Sequence, residues 1–153
     1  MSHFRLFRLP AKFRIDKGAL KSEWLQLQKK HHPDMDRCLG SGDSAKINSA
    51  YATLLNDYSR ARYMLKNNHV SLDSTQVDAD FLAGIMDRSM QVDEADAPTL
   101  ERLKTEYSRE YNELVDSIAN AFDRNDYAGG SLLVAKMGYL LRLERLLADR
   151  LDT

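Results

Sequence analysis

Residues 29–34 read Lys29-Lys30-His31-His32-Pro33-Asp34, and the segments on either side of them decide the fold. Upstream, Leu20, Trp24, Leu27 and His31 recur at spacings of four, three and four, the repeat of one helix face. Downstream, Ile47, Tyr51, Leu54, Tyr58, Ala61 and Leu65 keep the same rhythm. Two helices are expected, over about residues 17–31 and 44–66, and their short connection makes them an antiparallel hairpin. Pro33 fixes its own φ, donates no N–H and disfavours helix at His32. Asp34 adds a carboxylate that can cap local N–H groups or meet a basic partner. The tripeptide reads either as an ordinary turn or as a rigid device that presents polar groups.

Working outward, Asp16 is a plausible cap for the first long helix, and Asp43 or Ser44 for the second. His31 closes the apolar arc and reads as a boundary packing residue. Lys21, Leu25 and Lys29 point away from the arc, and Lys30 lies on its flank. Residues 3–9 form a short helix or turn ended by Pro10, anchored by Phe4, Phe7 and Leu9. After Asn67-Asn68-His69 a polar stretch, residues 71–76, leads into three further helices. The first spans about 78–91, with Phe81, Leu82, Ile85, Met86 and Met90 on an apolar side. An acidic connection, residues 93–98, precedes a helix capped by Thr99 that ends near Phe122. A turn at residues 123–130 precedes the last helix, which runs to Leu151. The expected fold is all-α: a helical hairpin in residues 1–74 and a three-helix bundle in 75–153.

Composition agrees with two small helical domains. The chain has 153 residues, 43% hydrophobic and 29% charged, with three prolines and seven glycines. Residues 1–74 carry 13 Lys and Arg against 7 Asp and Glu, whereas residues 75–153 carry 9 against 16. The first half could therefore steer toward an acidic protein or a nucleic acid. The one cysteine, Cys38, rules out an internal disulfide and a cysteine-cluster zinc or iron–sulfur site. His31 and His32 are adjacent and converge poorly on a metal, so neither metal nor cofactor is expected. No apolar run of 18 residues occurs and no separate apolar signal segment opens the sequence, so no membrane span is expected.

The residues around the tripeptide resemble a J domain, the module that stimulates the ATPase of an Hsp70 chaperone. The resemblance is nearer to the HscB/Jac1-type co-chaperones of iron–sulfur cluster assembly. It rests on residues 3–10, on Leu20, Trp24 and Leu27, on residues 29–34, on Ala45 to Tyr51 and on Arg60 to Leu65. Phe81-Leu82 opens a segment similar to that family's second domain. The resemblance implies an Hsp70 contact through Lys21, Lys29, Lys30, His32, Pro33 and Asp34. Met35 stands where J domains often have lysine, and the loop is shorter than in many relatives. The resemblance also implies a scaffold contact through Leu82, Met86, Asp87, Met90 and Tyr139. Ala83 replaces a larger apolar residue of some relatives, and Met90 a residue that is often acidic.

These features imply a non-catalytic co-chaperone. Its partners would be a dedicated Hsp70 (HscA/Ssq1-like) and an iron–sulfur scaffold (IscU/Isu-like), with no nucleic acid and no membrane. The alternative is a general J-domain co-chaperone that delivers unfolded clients. The expected compartment is the bacterial cytoplasm, with a processed organellar form as the other possibility. An enzyme reading lacks a nucleophile–base pair, and a nucleic-acid reading lacks a base-reading motif.

Overall fold

The computed structural model describes residues 2–30 and 42–153, which form seven α-helices and, among the described residues, no strand. They are α1 (Ser2–Leu6), α2 (Lys17–Lys30), α3 (Gly42–Leu55), α4 (Asp57–Asn67), α5 (Ala79–Glu94), α6 (Ala97–Asp123) and α7 (Tyr127–Leu151). Residues 31–41 lie outside the described residues, and with them His31, His32, Pro33, Asp34, Met35 and Cys38. The chain divides into two compact units, Met1–Asn68 and His69–Thr153, so the change falls ahead of the 74/75 boundary drawn from sequence.

In the first unit, α2 and α3 form the expected hairpin. Trp24 stacks on Tyr51 with ring centroids 4.6 Å apart, and its Nε1 donates to Asn48 Oδ1 at 3.0 Å. Gln28 Nε2 donates to the same oxygen at 2.6 Å. As α2 advances from Trp24 to Gln28, the contacts on α3 retreat from Tyr51 to Asn48, so the two helices are antiparallel. Asp16 caps α2 as expected, its Oδ1 accepting from Ala19 N at 3.1 Å. Phe4, Phe7, Phe13, Leu20, Leu54 and Leu65 fill the core.

The continuous helix expected over residues 44–66 is instead two helices. Asn56 leaves helical geometry at φ −92°, ψ 129° and caps α4, accepting from Ser59 N at 2.9 Å. Arg60 holds the break together. Only 3% exposed, it donates to the Phe13 carbonyl at 2.7 Å, to the Leu54 carbonyl at 2.7 Å and to Asp57 Oδ1 at 2.8 Å. The Leu54 carbonyl is one of those a helix end leaves without an intrahelical donor, and a buried guanidinium takes that role. The start of α3 also differs: Gly42 already begins the helix, so Asp43 lies in its first turn rather than at its cap.

In the second unit the caps are aspartates. Asp78, Asp96 and Asp126 accept from the backbone N–H of Phe81, Thr99 and Gly129. Asp96, not Thr99, therefore caps α6, and Ala97-Pro98 already belong to the helix. The turn expected over residues 123–130 contracts because Asn125 adopts φ 60° and α7 begins at Tyr127. Gly130 permits the tight approach that follows, since a Cβ there would come within 2.5 Å of the Phe122 ring. Val92, Leu100, Leu103, Tyr107, Leu140, Leu143 and Leu147 make the main core cluster of this unit.

Replacing Arg60 by Met should cost about 3 kcal/mol, because Asp57 and two carbonyls lose a buried partner. Lys66→Met, on the exposed side of α4, should stay within about 0.5 kcal/mol. Urea denaturation of both variants checks this.

Candidate functional site

Two surfaces carry the residues singled out from sequence. On the first unit, Lys21, Lys29 and Lys30 are all exposed on α2, and Lys29 and Lys30 occupy its last turn. Cations there complement the helix dipole. The Trp24–Asn48–Gln28 network ties α2 to α3 beside the two ends of residues 31–41. His3 was not anticipated: its ring stacks on Tyr63 at 4.2 Å and 2°, and burial lowers its pKa.

On the second unit, α5 has two distinct flanks. Phe81, Ile85 and Arg88 line a groove of about 390 Å³ with Glu110 and Leu114 of α6 and with Lys136 of α7. Arg88 pairs with Glu110 at 2.8 Å, and its guanidinium lies 5.6 Å from the Tyr107 ring centroid. The opposite flank carries Leu82, Met86 and Met90, spaced four residues apart and 37%, 68% and 58% exposed. Asp87 is exposed next to them. Three large apolar side chains on one helix stripe, left in water, are an unusual expense for a bundle.

Tyr139 is half-buried on α7, edge-on to Phe81 with ring centroids 5.8 Å apart. Phe81 precedes Leu82, so this contact sets Tyr139 beside the start of α5, at the level of Leu82. Sequence reading did not single out the cations of this region. Lys136 sits 5.4 Å over the Phe81 ring and Arg142 sits 5.2 Å over the Tyr139 ring. Their spacing of three from Tyr139 on one helix was the signal available for them.

Among the described residues no group of three or more His, Cys, Asp or Glu could hold a metal ion, and no helix is long and apolar enough to cross a membrane. The perturbed carboxyl, Glu144, is raised by burial first and by the charge of Glu110 second. Both causes belong to the packing of the bundle.

Comparison with known proteins supplies the family. Residues 77–147 match the family model described as the HSCB C-terminal oligomerisation domain. The chain is 34% identical over 149 residues to a co-chaperone protein HscB homolog of Acinetobacter baumannii, covering 94% of this chain and 86% of the relative. The chain belongs to the HscB co-chaperone family. An HscB relative from Arabidopsis thaliana, named an iron–sulfur cluster co-chaperone protein, is 30% identical over 93% of this chain and 60% of its own length. The crystal structure of human co-chaperone protein HscB superposes with a TM-score of 0.87 at 25% identity, over 95% of this chain and 80% of that one. The architecture is accordingly that of HscB, an N-terminal J-domain hairpin followed by a C-terminal three-helix bundle.

Glu144 supplies a pH test of the bundle. Its folded-state pKa is raised, so the folded protein binds its proton more tightly than the unfolded chain does, and stability falls as pH rises through that window. Glu144→Gln should melt higher than the parent at pH 7.5, and the gap should close as pH falls through the carboxylate range. Thermal melts across pH measure it.

Proposed function

We propose that this HscB-family protein couples an Hsp70 ATPase to a scaffold on which iron–sulfur clusters are assembled. The first unit engages a dedicated Hsp70 of the HscA/Ssq1 type through His32, Pro33 and Asp34, with Lys21, Lys29 and Lys30 steering the encounter. The second unit holds an IscU/Isu-like scaffold against Leu82, Met86, Met90 and Tyr139, with Asp87 on the rim. The chain itself turns over nothing. By binding both partners it raises the effective concentration of one at the other. Its place of action is the bacterial cytoplasm or, after processing, an organelle.

The observation that carries this reading is the exposed Leu82–Met86–Met90 stripe on α5, with Tyr139 of α7 packed beside the start of the same helix. Such a face is too apolar to be left in water and too regular to suit unfolded clients of every sequence. The acidic balance of the second unit and the basic balance of the first support two partners of different charge.

Two variants separate the roles. His32→Gln should abolish most stimulation of the matched Hsp70 in single-turnover ATP hydrolysis, yet melt as the parent does. Normal stimulation by the folded variant would remove the Hsp70 assignment. The combination Leu82→Ala, Met86→Ala and Tyr139→Ala should weaken scaffold binding at least about a hundredfold by calorimetry while keeping basal stimulation. Parent-like scaffold binding by that triple variant, or binding of the parent to unfolded polypeptide in place of the scaffold, would contradict the scaffold assignment.

A further inference from the structure

The three helices of the second unit run up, down and up, so α5 and α7 point the same way. Phe81 and Tyr139 meet near one end, and the Ala95 carbonyl accepts from Arg150 Nη2 at 2.8 Å near the other. From Phe81 to Ala95 is 14 residues and from Tyr139 to Arg150 is 11, so the register between the two helices holds to within one turn. Leu82 is then level with Tyr139, Met86 with Arg142 and Met90 with Leu146. Leu146 stands seven residues beyond Tyr139, two turns along the same side of α7, and is 40% exposed. The apolar stripe of α5 therefore has a parallel neighbour on α7 that continues past Tyr139, with one cation at its middle.

That cation differs from three other arginines of the unit. Arg88 is paired with Glu110, Arg102 with Glu106, and Arg150 is bonded to the Ala95 carbonyl. Arg142 is exposed and makes no ion pair among the described residues. Its guanidinium is held 5.2 Å over the Tyr139 ring. It is thus a pre-positioned positive charge, set between Tyr139 and Leu146, in a half of the chain whose balance is strongly acidic. A planar guanidinium stacked on an aromatic ring keeps its donors aimed outward, a geometry that suits a carboxylate.

We infer that Arg142 and Leu146 complete the docking face, and that the scaffold places a carboxylate opposite Arg142 between two apolar contacts. This rests on the scaffold reading above and adds the chemistry of the partner: a surface that is apolar along both helices and acidic at its centre. Arg142 is on this account a specificity residue, since a partner lacking the carboxylate would bury the guanidinium unpaired.

The test is a salt series of scaffold binding by the full chain, from about 50 mM to about 500 mM, over which screening grows strong. Arg142→Gln should weaken binding about two- to fivefold at low salt, with the gap to the parent closing at high salt, and Arg142→Glu should weaken it further. Arg142→Lys should recover part of the loss. Leu146→Ala should weaken binding about fivefold or more at every salt concentration. Arg124→Gln removes the same charge from the C-terminal end of α6, about 18 Å along the helix axis from Tyr139, and should bind as the parent does. Parent-like binding by Arg142→Gln, or a deficit that stays the same from low to high salt, would overturn the inference: the arginine would then only pack on Tyr139. Failure of the unaltered chain to bind the scaffold at all would instead reject the scaffold reading itself, together with everything built on it.

Discussion

Two short turns govern the second unit. Between α5 and α6 only Ala95 and Asp96 intervene, and between α6 and α7 only residues 124–126. Each following helix is opened by an aspartate side chain that takes up an otherwise unpaired N–H. Turns this short leave no room for a crossover, so each helix folds back along the last, and α5 and α7 end up side by side and in the same direction. The bundle buries Val92, Leu103, Leu140 and Leu143 to achieve this. The remainder is the exposed stripe of α5, Leu82, Met86 and Met90, which no other helix of the bundle covers among the described residues.

The first unit depends on a different device. A helix broken at Asn56 leaves carbonyls that neither helix can satisfy, in a core too small to admit water freely. Arg60 resolves this from the interior, and its guanidinium also lies 4.7 Å from the centroid of the Phe13 ring. The result fixes the angle between α3 and α4 and ties the α1–α2 connection to both. The α2–α3 hairpin then stands on a rigid base, as a surface that must hold its geometry against a partner requires.

Much of this was legible in the sequence for physical reasons. The four-three repeat of Leu20, Trp24 and Leu27, and of Ile47, Tyr51 and Leu54, encodes burial, and burial is what the structure reports for Leu20, Ile47 and Leu54. The break at Asn56 escaped because Tyr58, Ala61 and Leu65 remain in phase across it, so periodicity alone cannot see it. The clue was chemical: Asn-Asp inside a helix, followed by an arginine able to reach back. Thr99 was read as the cap with Pro98 in the preceding connection, whereas proline fits the first turn of a helix. Leu82, Met86 and Met90 read equally well as core or as surface; only the packing of α5 against its neighbours decides which flank stays in water. Arg142 was illegible for a related reason. Its meaning comes from the absence of a partner, and single-chain sequence does not display what a side chain fails to meet.

The central claim is that one chain joins Hsp70 stimulation to scaffold binding, and it is most directly tested by single-turnover ATP hydrolysis in the matched Hsp70 with four additions: nothing, the chain alone, the scaffold alone, and both. A rigid hairpin and a separate docking face on the same chain predict that the two together accelerate hydrolysis by more than the product of their separate effects, with an unfolded polypeptide unable to replace the scaffold. Independent effects that simply multiply, or equal acceleration when an unfolded polypeptide takes the scaffold's place, would contradict it.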